Sequence, residues 1–342
     1  MEQNADLIAQ AIKGSLSIID QDRERIIVEK RFGLHGQKET LEQIGETLSV
    51  TRERVRQLEK VILVRLRIAA KQNQIPNLPA AEKIIIRNLA ELGRAARVSD
   101  LANKIFNGKA KNSDRSALSF LADISAGLTV VSENDQYFNS VAIADVGDEM
   151  GIKAKTDEIV KLIKANKKPI SLDALDAQLT YEHPSQIAAI ASLSKQLATL
   201  GGLWGLVKWP EVNPKNIRDK IYVILESEKR PMHFNDIATA IAESDFKRKN
   251  VTTQAIHNEL IKDPRFVLIG RGIYALDTWG YKKGTVSEII TSVLKDAGRP
   301  LSREEIVAEV MKSRKVKETT ILLNLQNKKL FKKVDKNAFE LA

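Results

Sequence analysis

The chain has 342 residues, 43% of them hydrophobic and 29% charged, with 54 Lys and Arg against 44 Asp and Glu and no cysteine. That is the composition of a folded chain of roughly two to five small domains. It excludes disulfides and thiolate metal sites, and the net charge of +10 is compatible with a nucleic-acid partner without requiring one.

The start, "MEQNADLIAQAIKG", lacks the basic-then-apolar layout of a signal peptide, and no apolar run approaches the roughly 18–20 residues that cross a bilayer. A cytoplasmic, nucleoid-associated protein is expected, with no membrane partner. Residues 1–72 read as helical: "LIAQAIKGSLSIID" is amphipathic, "QDRERIIVEKRFGL" carries Ile26, Ile27, Phe32 and Leu34, and Gly33 and Gly36 then break the pattern. Thr40 with Gln43 three residues on forms a capping box, behind which Leu41, Ile44 and Leu48 make an inner face. "SV" turns the chain, with Ser49 where many helix-turn-helix motifs carry glycine, and Thr51 caps the next helix, 51–67. There Val55, Leu58, Ile62 and Leu66 recur at three- and four-residue spacing and face a core.

The other side of that helix presents Arg52, Glu53, Arg56, Gln57 and Lys60. In a helix-turn-helix the first turns of the second helix enter the major groove. Arg can donate twice to guanine, Glu accepts from cytosine N4, and Gln pairs with adenine. A face built for phosphates alone has no use for a central carboxylate, so Glu53 is the diagnostic residue. The plainer alternative is a solvated face with charge pairs one turn apart.

"QNQIPNLP" follows, and 73–80 reads as a linker. Beyond it the chain repeats. "KKPISLDALDAQL", "KRPMHFNDIATAI" and "GRPLSREEIVAEV" each place an apolar residue directly after a proline, then others at the sixth and tenth positions past it. "ARVSDLANKIF" is a fainter copy without the proline. Each copy has an aliphatic helix before it and another helical stretch after it. Strand pairs then turn at Asn134–Asp135, at Gly270–Gly272 and at Asp335–Asn337, while "LGGLWGLVKWPEV" reads as a degenerate hairpin. Three helices and a hairpin are the plan of a winged helix. The expected fold is mainly α with small β-hairpin wings: the 1–72 head, then winged-helix-like modules at 81–146, 155–212, 214–278 and 284–342 in tandem.

In the third module "VTTQAIHNEL" is the third helix, with Thr252, Thr253, Gln254 and His257 outward, and Arg271 stands at the wing tip, in reach of a minor groove or phosphate. In the last module Lys328, Lys329, Lys332 and Lys333 suit phosphate contact, or a merely solubilising surface. "SQIAAIASLSKQLATL" is nearly all small and apolar, a poor base reader better suited to packing on another module or a protein. His35, His183, His233 and His257 are scattered with no zinc-like spacing, and no phosphate-binding loop or Ser/His/Asp arrangement stands out. No catalysis, metal, cofactor or small-molecule substrate is expected.

Residues 23–67, through "RFGL", "TLEQIG" and "VTRERVRQLE", resemble region 4 of housekeeping-type bacterial RNA polymerase sigma factors. The resemblance implies recognition of a promoter −35 element, with Arg52, Glu53, Arg56 and Gln57 on bases and Arg54 on the backbone, where Thr51 and Lys60 flank it. It further implies docking on the β-subunit flap of RNA polymerase. Residues 214–278, and more loosely 284–342, resemble the HARE helix-turn-helix family, which implies association with DNA or polymerase.

Three readings fit the sequence. The first is a sequence-specific transcription factor that reads promoter-like double-stranded DNA and associates with polymerase. The second is a non-catalytic polymerase accessory or scaffold protein of delta-subunit type. The third is the DNA-specificity component of a restriction or modification system.

Overall fold

The computed structural model describes residues 2–179, 181, 184–246, 250–335 and 337–342. They form two compact units, residues 1–208 and 209–342.

The first unit opens with four helices, α1 (Glu2–Ser17), α2 (Asp22–Phe32), α3 (Leu41–Leu48) and α4 (Arg52–Lys71). Two repeats follow. The first comprises α5 (Leu78–Glu91), β1 (Ala95–Arg97), α6 (Val98–Ile105), α7 (Asn112–Ile124), β2 (Leu128–Val131) and β3 (Ser140–Ile143). In the second are α8 (Glu149–Asn166), β4 (Ile170–Ser171), α9 (Leu172–Asp176), α10 (Pro184–Ser192), β5 (Leu197–Leu200) and β6 (Leu203–Leu206).

The second unit holds two more repeats. One runs through α11 (Ile217–Glu228), β7 (Met232–His233), α12 (Phe234–Glu243), α13 (Thr253–Lys262), β8 (Phe266–Gly270) and β9 (Ile273–Leu276). The other runs through α14 (Val286–Ala297), β10 (Leu301–Ser302), α15 (Arg303–Ser313), α16 (Glu318–Leu325), β11 (Phe331–Lys333) and β12 (Ala338–Leu341). No helix among the described residues is long and apolar enough to cross a membrane.

All four repeats share one topology, a three-stranded antiparallel sheet whose last strand lies in the middle. The apolar residue after each proline is the core residue of the short first strand. Ile170 pairs with Trp204, Met232 with Tyr274 and Leu301 with Phe339. Two-residue strands are too short for alternation to reveal, so a hairpin alone was expected where a third strand completes each sheet. The second repeat's hairpin is also regular rather than degenerate. Gly201 and Gly202 both take positive φ (57° and 78°), the combination that a two-residue hairpin turn of matching twist requires.

In the first repeat the return strand begins at Ser140, beyond the expected "QYF". Asn134 Oδ1 instead accepts the backbone N–H groups of Gln136 and Tyr137 at 2.8 and 2.9 Å, and buried Tyr137 bridges to Ser194. The Phe138 N–H donates to the Leu193 carbonyl at 2.9 Å and the Lys195 N–H to that of Gln136 at 2.7 Å. This segment joins the first repeat to the second.

The expected linker at 73–80 is pinned to the core at two points, while Asn73, Gln74, Pro76, Asn77 and Pro79 are exposed. Ile75 and Leu78 are 1% and 2% exposed, and α5 starts at Leu78. One apolar core runs from Ile8 through Ile44, Ile62 and Leu66 to Leu101, Phe120 and Val141, so the head and the first repeat fold around common residues. The two prolines and two asparagines of that stretch mark a tight corner, with Asn77 left-handed at φ 62°, and not a flexible tether.

Candidate nucleic-acid interface

Local chemistry positions α4 before tertiary packing does. Thr40 and Gln43 close the capping box of α3, with the Gln43 N–H donating to Thr40 Oγ1 and the Thr40 N–H to Gln43 Oε1. Ser49 makes the turn in the left-handed region at φ 55°. Thr51 Oγ1 then accepts the Arg54 N–H at 3.2 Å and starts α4. Val55, Ile62 and Leu66 are fully buried, and Leu58 is partly so.

Ion pairs add direction to that packing. Arg65 donates through both terminal nitrogens to Glu24, at 3.0 and 3.2 Å, which ties α4 to α2. Arg31 Nε donates to Glu59 at 3.1 Å, and Arg67 Nη2 to Asp123 of α7 at 2.7 Å. A helix held on two sides presents its free face rigidly.

That free face carries every residue expected of it. Thr51, Arg52, Glu53, Arg54, Arg56, Gln57 and Lys60 are all exposed. Within it Glu53 is already engaged: Arg56 Nε and Nη2 donate to its two oxygens at 2.9 and 2.7 Å, and Gln57 Nε2 reaches it at 3.3 Å. The hydrogen bond from Arg56 holds the Glu53 carboxyl below its ordinary range, with the neighbouring charges of Arg56 and Arg52 acting the same way. The pair is open to water, its side chains 56% and 58% exposed, so its partners exchange readily for others. Arg52, Arg54 and Lys60 around it leave the face net positive. Farther along α4 the same exposed side turns apolar, at Val61, Val64 and Ile68.

In the first two repeats the third helices are not comparably open among the described residues. Most of α7 is buried, from Ser116 through Ala122 and again at Ile124, and the Phe120 ring meets Phe32 of α2 edge-on at 5.1 Å. Helix α10 lies on the first repeat. A Cβ at Gly93 would sit 2.9 Å from that of Ala189 and collide with the Ser185 carbonyl. Arg97 donates to the Ser192 carbonyl while stacking 4.0 Å over the Phe138 ring. The small, apolar composition of the second repeat's third helix therefore serves packing between repeats.

In the second unit Thr253 and Gln254 are exposed on α13, Gln254 donating to Asn258 one turn on, and Arg271 is exposed between β8 and β9. His257 departs from expectation. It is half-buried, 4.8 Å from the Phe234 ring and edge-on to Tyr274, so it packs rather than reaches outward. Its alternation with apolar Ile256 and Leu260 gave no sign of an aromatic neighbour supplied by α12. Lys328, Lys329, Lys332 and Lys333 are exposed on the last repeat. His233 caps α12, its Nδ1 accepting the Asn235 N–H, and His183 lies outside the described residues. No group of three or more metal-ligating side chains is found among the described residues.

Comparison with known proteins bears on the head. Residues 21–67 match the family model for Sigma-70, region 4. The chain is 45% identical over 56 residues to the RNA polymerase sigma factor SigA4 of Synechococcus elongatus, covering 16% of this chain and 18% of that one. It is 47% identical over 55 residues to RNA polymerase sigma factor RpoD of Helicobacter pylori, 15% and 8% of the two chains. With the RNA polymerase principal sigma factor HrdC of Streptomyces coelicolor it shares 44% over 54 residues, 16% of each. The chain thus spans less than a fifth of the length of these curated relatives.

Proposed function

We propose that this chain, whose residues 21–67 are a region 4 domain of the sigma-70 type, is a non-catalytic transcription protein that reads a −35-like promoter element with α4. Arg52, Glu53, Arg56 and Gln57 meet base edges, and Thr51, Arg54 and Lys60 meet phosphates. The single observation that supports this most is an exposed, net-positive first two turns of α4 with a carboxylate at the centre, on a helix braced from behind by Glu24 and Asp123. The self-paired Glu53 and Arg56 are ready-made for exchange: on DNA, Arg56 trades one Glu53 oxygen for a guanine edge, and Glu53 accepts from cytosine.

The four repeats are winged-helix modules on this reading, the last two of HARE type, and they grip DNA or RNA polymerase beside the head. In the third, Thr253, Gln254 and Arg271 are the contact candidates. The relatives' printed names support a polymerase partner, and the β-subunit flap is the proposed point of attachment.

A second reading, a polymerase accessory or scaffold protein, draws on the cover over α7 and α10, since modules whose third helices are packed away suit assembly better than readout. One experiment separates the two. Duplexes bound by the full chain are selected from a random pool, and the winner is titrated against Arg56→Ala. Promoter reading requires an enriched motif and a loss of about 1–3 kcal/mol with relaxed preference at one position. A pool that returns no motif, with polymerase still retained by the variant, rejects it in favour of the scaffold.

A further inference from the structure

The last repeat has a surface of a different kind. Between α16 and the β11–β12 hairpin lies an open groove of about 830 Å³. Its floor is apolar, made by Leu322, Phe331 and Phe339, of which Leu322 and Phe339 are only partly covered by the repeat's own core. Its rim is cationic, with Arg303, Lys328 and Lys333. Arg303 is occupied, its Nη2 3.3 Å from Glu318. Lys328 and Lys333 are exposed and make no ion pair among the described residues.

Two features of this groove have to be explained together. Free cations alone suit a phosphate backbone, but a duplex backbone presents nothing apolar to such a floor. Single strands are held by successive open aromatic faces on which bases stack. Among the described residues this groove has just one that is partly open, Phe339, because Phe331 is only 2% exposed. An apolar floor between uncommitted ammonium groups is complementary to a polypeptide that carries both bulky apolar side chains and carboxylates. In such contacts the buried anchor supplies most of the affinity and the rim charges supply orientation and rate.

We propose that this groove docks an acidic amphipathic segment of a partner protein. Leu- or Phe-like anchors enter over Leu322 and Phe339, and flanking carboxylates meet Lys328 and Lys333. This goes beyond the reading of α4 and does not depend on it: it assigns the basic end of the last repeat to protein rather than phosphate.

The test uses the full chain and a short fluorescein-labelled peptide in which Asp and Glu alternate with Leu and Phe, followed by anisotropy. A peptide of the same charge with Ser replacing Leu and Phe, a duplex oligonucleotide and oligo(dT) are the comparisons. The expected result is binding of the amphipathic peptide, with the Ser version and the Lys328→Glu/Lys333→Glu variant each weaker by about tenfold or more. Leu323→Asp, on the exposed outer side of α16, should leave binding unchanged. Melting curves establish that the variants fold, and Lys328→Gln/Lys333→Gln replaces the double Glu variant if that one does not. Amide shifts that move at Phe339 as peptide is added locate the site independently. No peptide binding, equal binding of the Ser version, full affinity in the lysine variants, or displacement of the peptide by either oligonucleotide each overturns the proposal. Arg56→Ala should bind the peptide normally, so failure here is distinguishable from failure of promoter reading.

Discussion

A carboxylate in the middle of a cationic face acts on a nucleic-acid partner in two opposite ways. It repels phosphates at any sequence, and it rewards the one base pair whose edge can donate to it. Glu53→Gln should therefore raise affinity for random duplex while narrowing the gap between selected and random sites. Anisotropy titrations over a range of salt measure both quantities; an unchanged ratio of the two affinities removes Glu53 from readout. Ser49 offers a test of a different sort. It holds a left-handed conformation that costs an L-residue roughly 1–2 kcal/mol relative to a right-handed one. Ser49→Gly should stabilise the head by up to about 1 kcal/mol, offset by glycine's larger unfolded-state entropy. Chemical denaturation reads that change. At this scale the head was legible in the sequence because its face, caps and core residues all lie within one or two turns of each other. His257 was not, because the ring it packs on comes from another helix.

At the level of elements, α7 is the third helix most deeply packed into the core of its unit. The outward residues expected on a third helix were those of the third module, and in the first repeat α7 is instead clasped by the head through Phe32, Phe120 and Asp123. Phe120→Ala should cost about 3–5 kcal/mol, as for other large aromatic deletions in a tight core, with the loss felt in the head as well as in the first repeat. Exchange protection of α2 and α4 amides provides the readout. Gly93→Ala tests the neighbouring contact, since φ +88° and the closeness of α10 both oppose a side chain there. Loss of protection confined to α10 and β1 is the expected pattern.

Helix α15 makes a prediction in pH. The Glu305 carboxylate accepts from Arg299 and from the Ser302 N–H, and these bonds bring its pKa down to about 2. Its folded value is depressed, so its contribution is present above the unfolded carboxylate range and is lost as pH falls towards 2. Glu305→Gln should lower stability at neutral pH and flatten the acid limb between roughly pH 4.5 and 2 until the two proteins coincide. Acid titrations followed by circular dichroism test the sign; a constant offset at all pH values contradicts it.

For the molecule as a whole, the head and the first repeat share one core where a head, a linker and separate modules were expected. Residues 1–146 should unfold in one calorimetric transition. A fragment ending at Lys71 lacks the surfaces that cover Phe32 and Ile8, and it should melt at a lower temperature and without cooperativity. Two resolved transitions within 1–146 would contradict a common core. The helices and hairpins, the four-fold repeat and the exposed polar face of α4 were legible in the residues themselves, whereas the short first strand of each sheet was not. The legible features depend on caps, on apolar spacing and on turn residues a few positions apart. Which of the similar third helices stay open, which become packing surfaces, and how Ile75 and Leu78 anchor 73–80 to the core were settled by tertiary packing. Such outcomes rest on contacts between residues far apart in the chain, for which local periodicity carries no record.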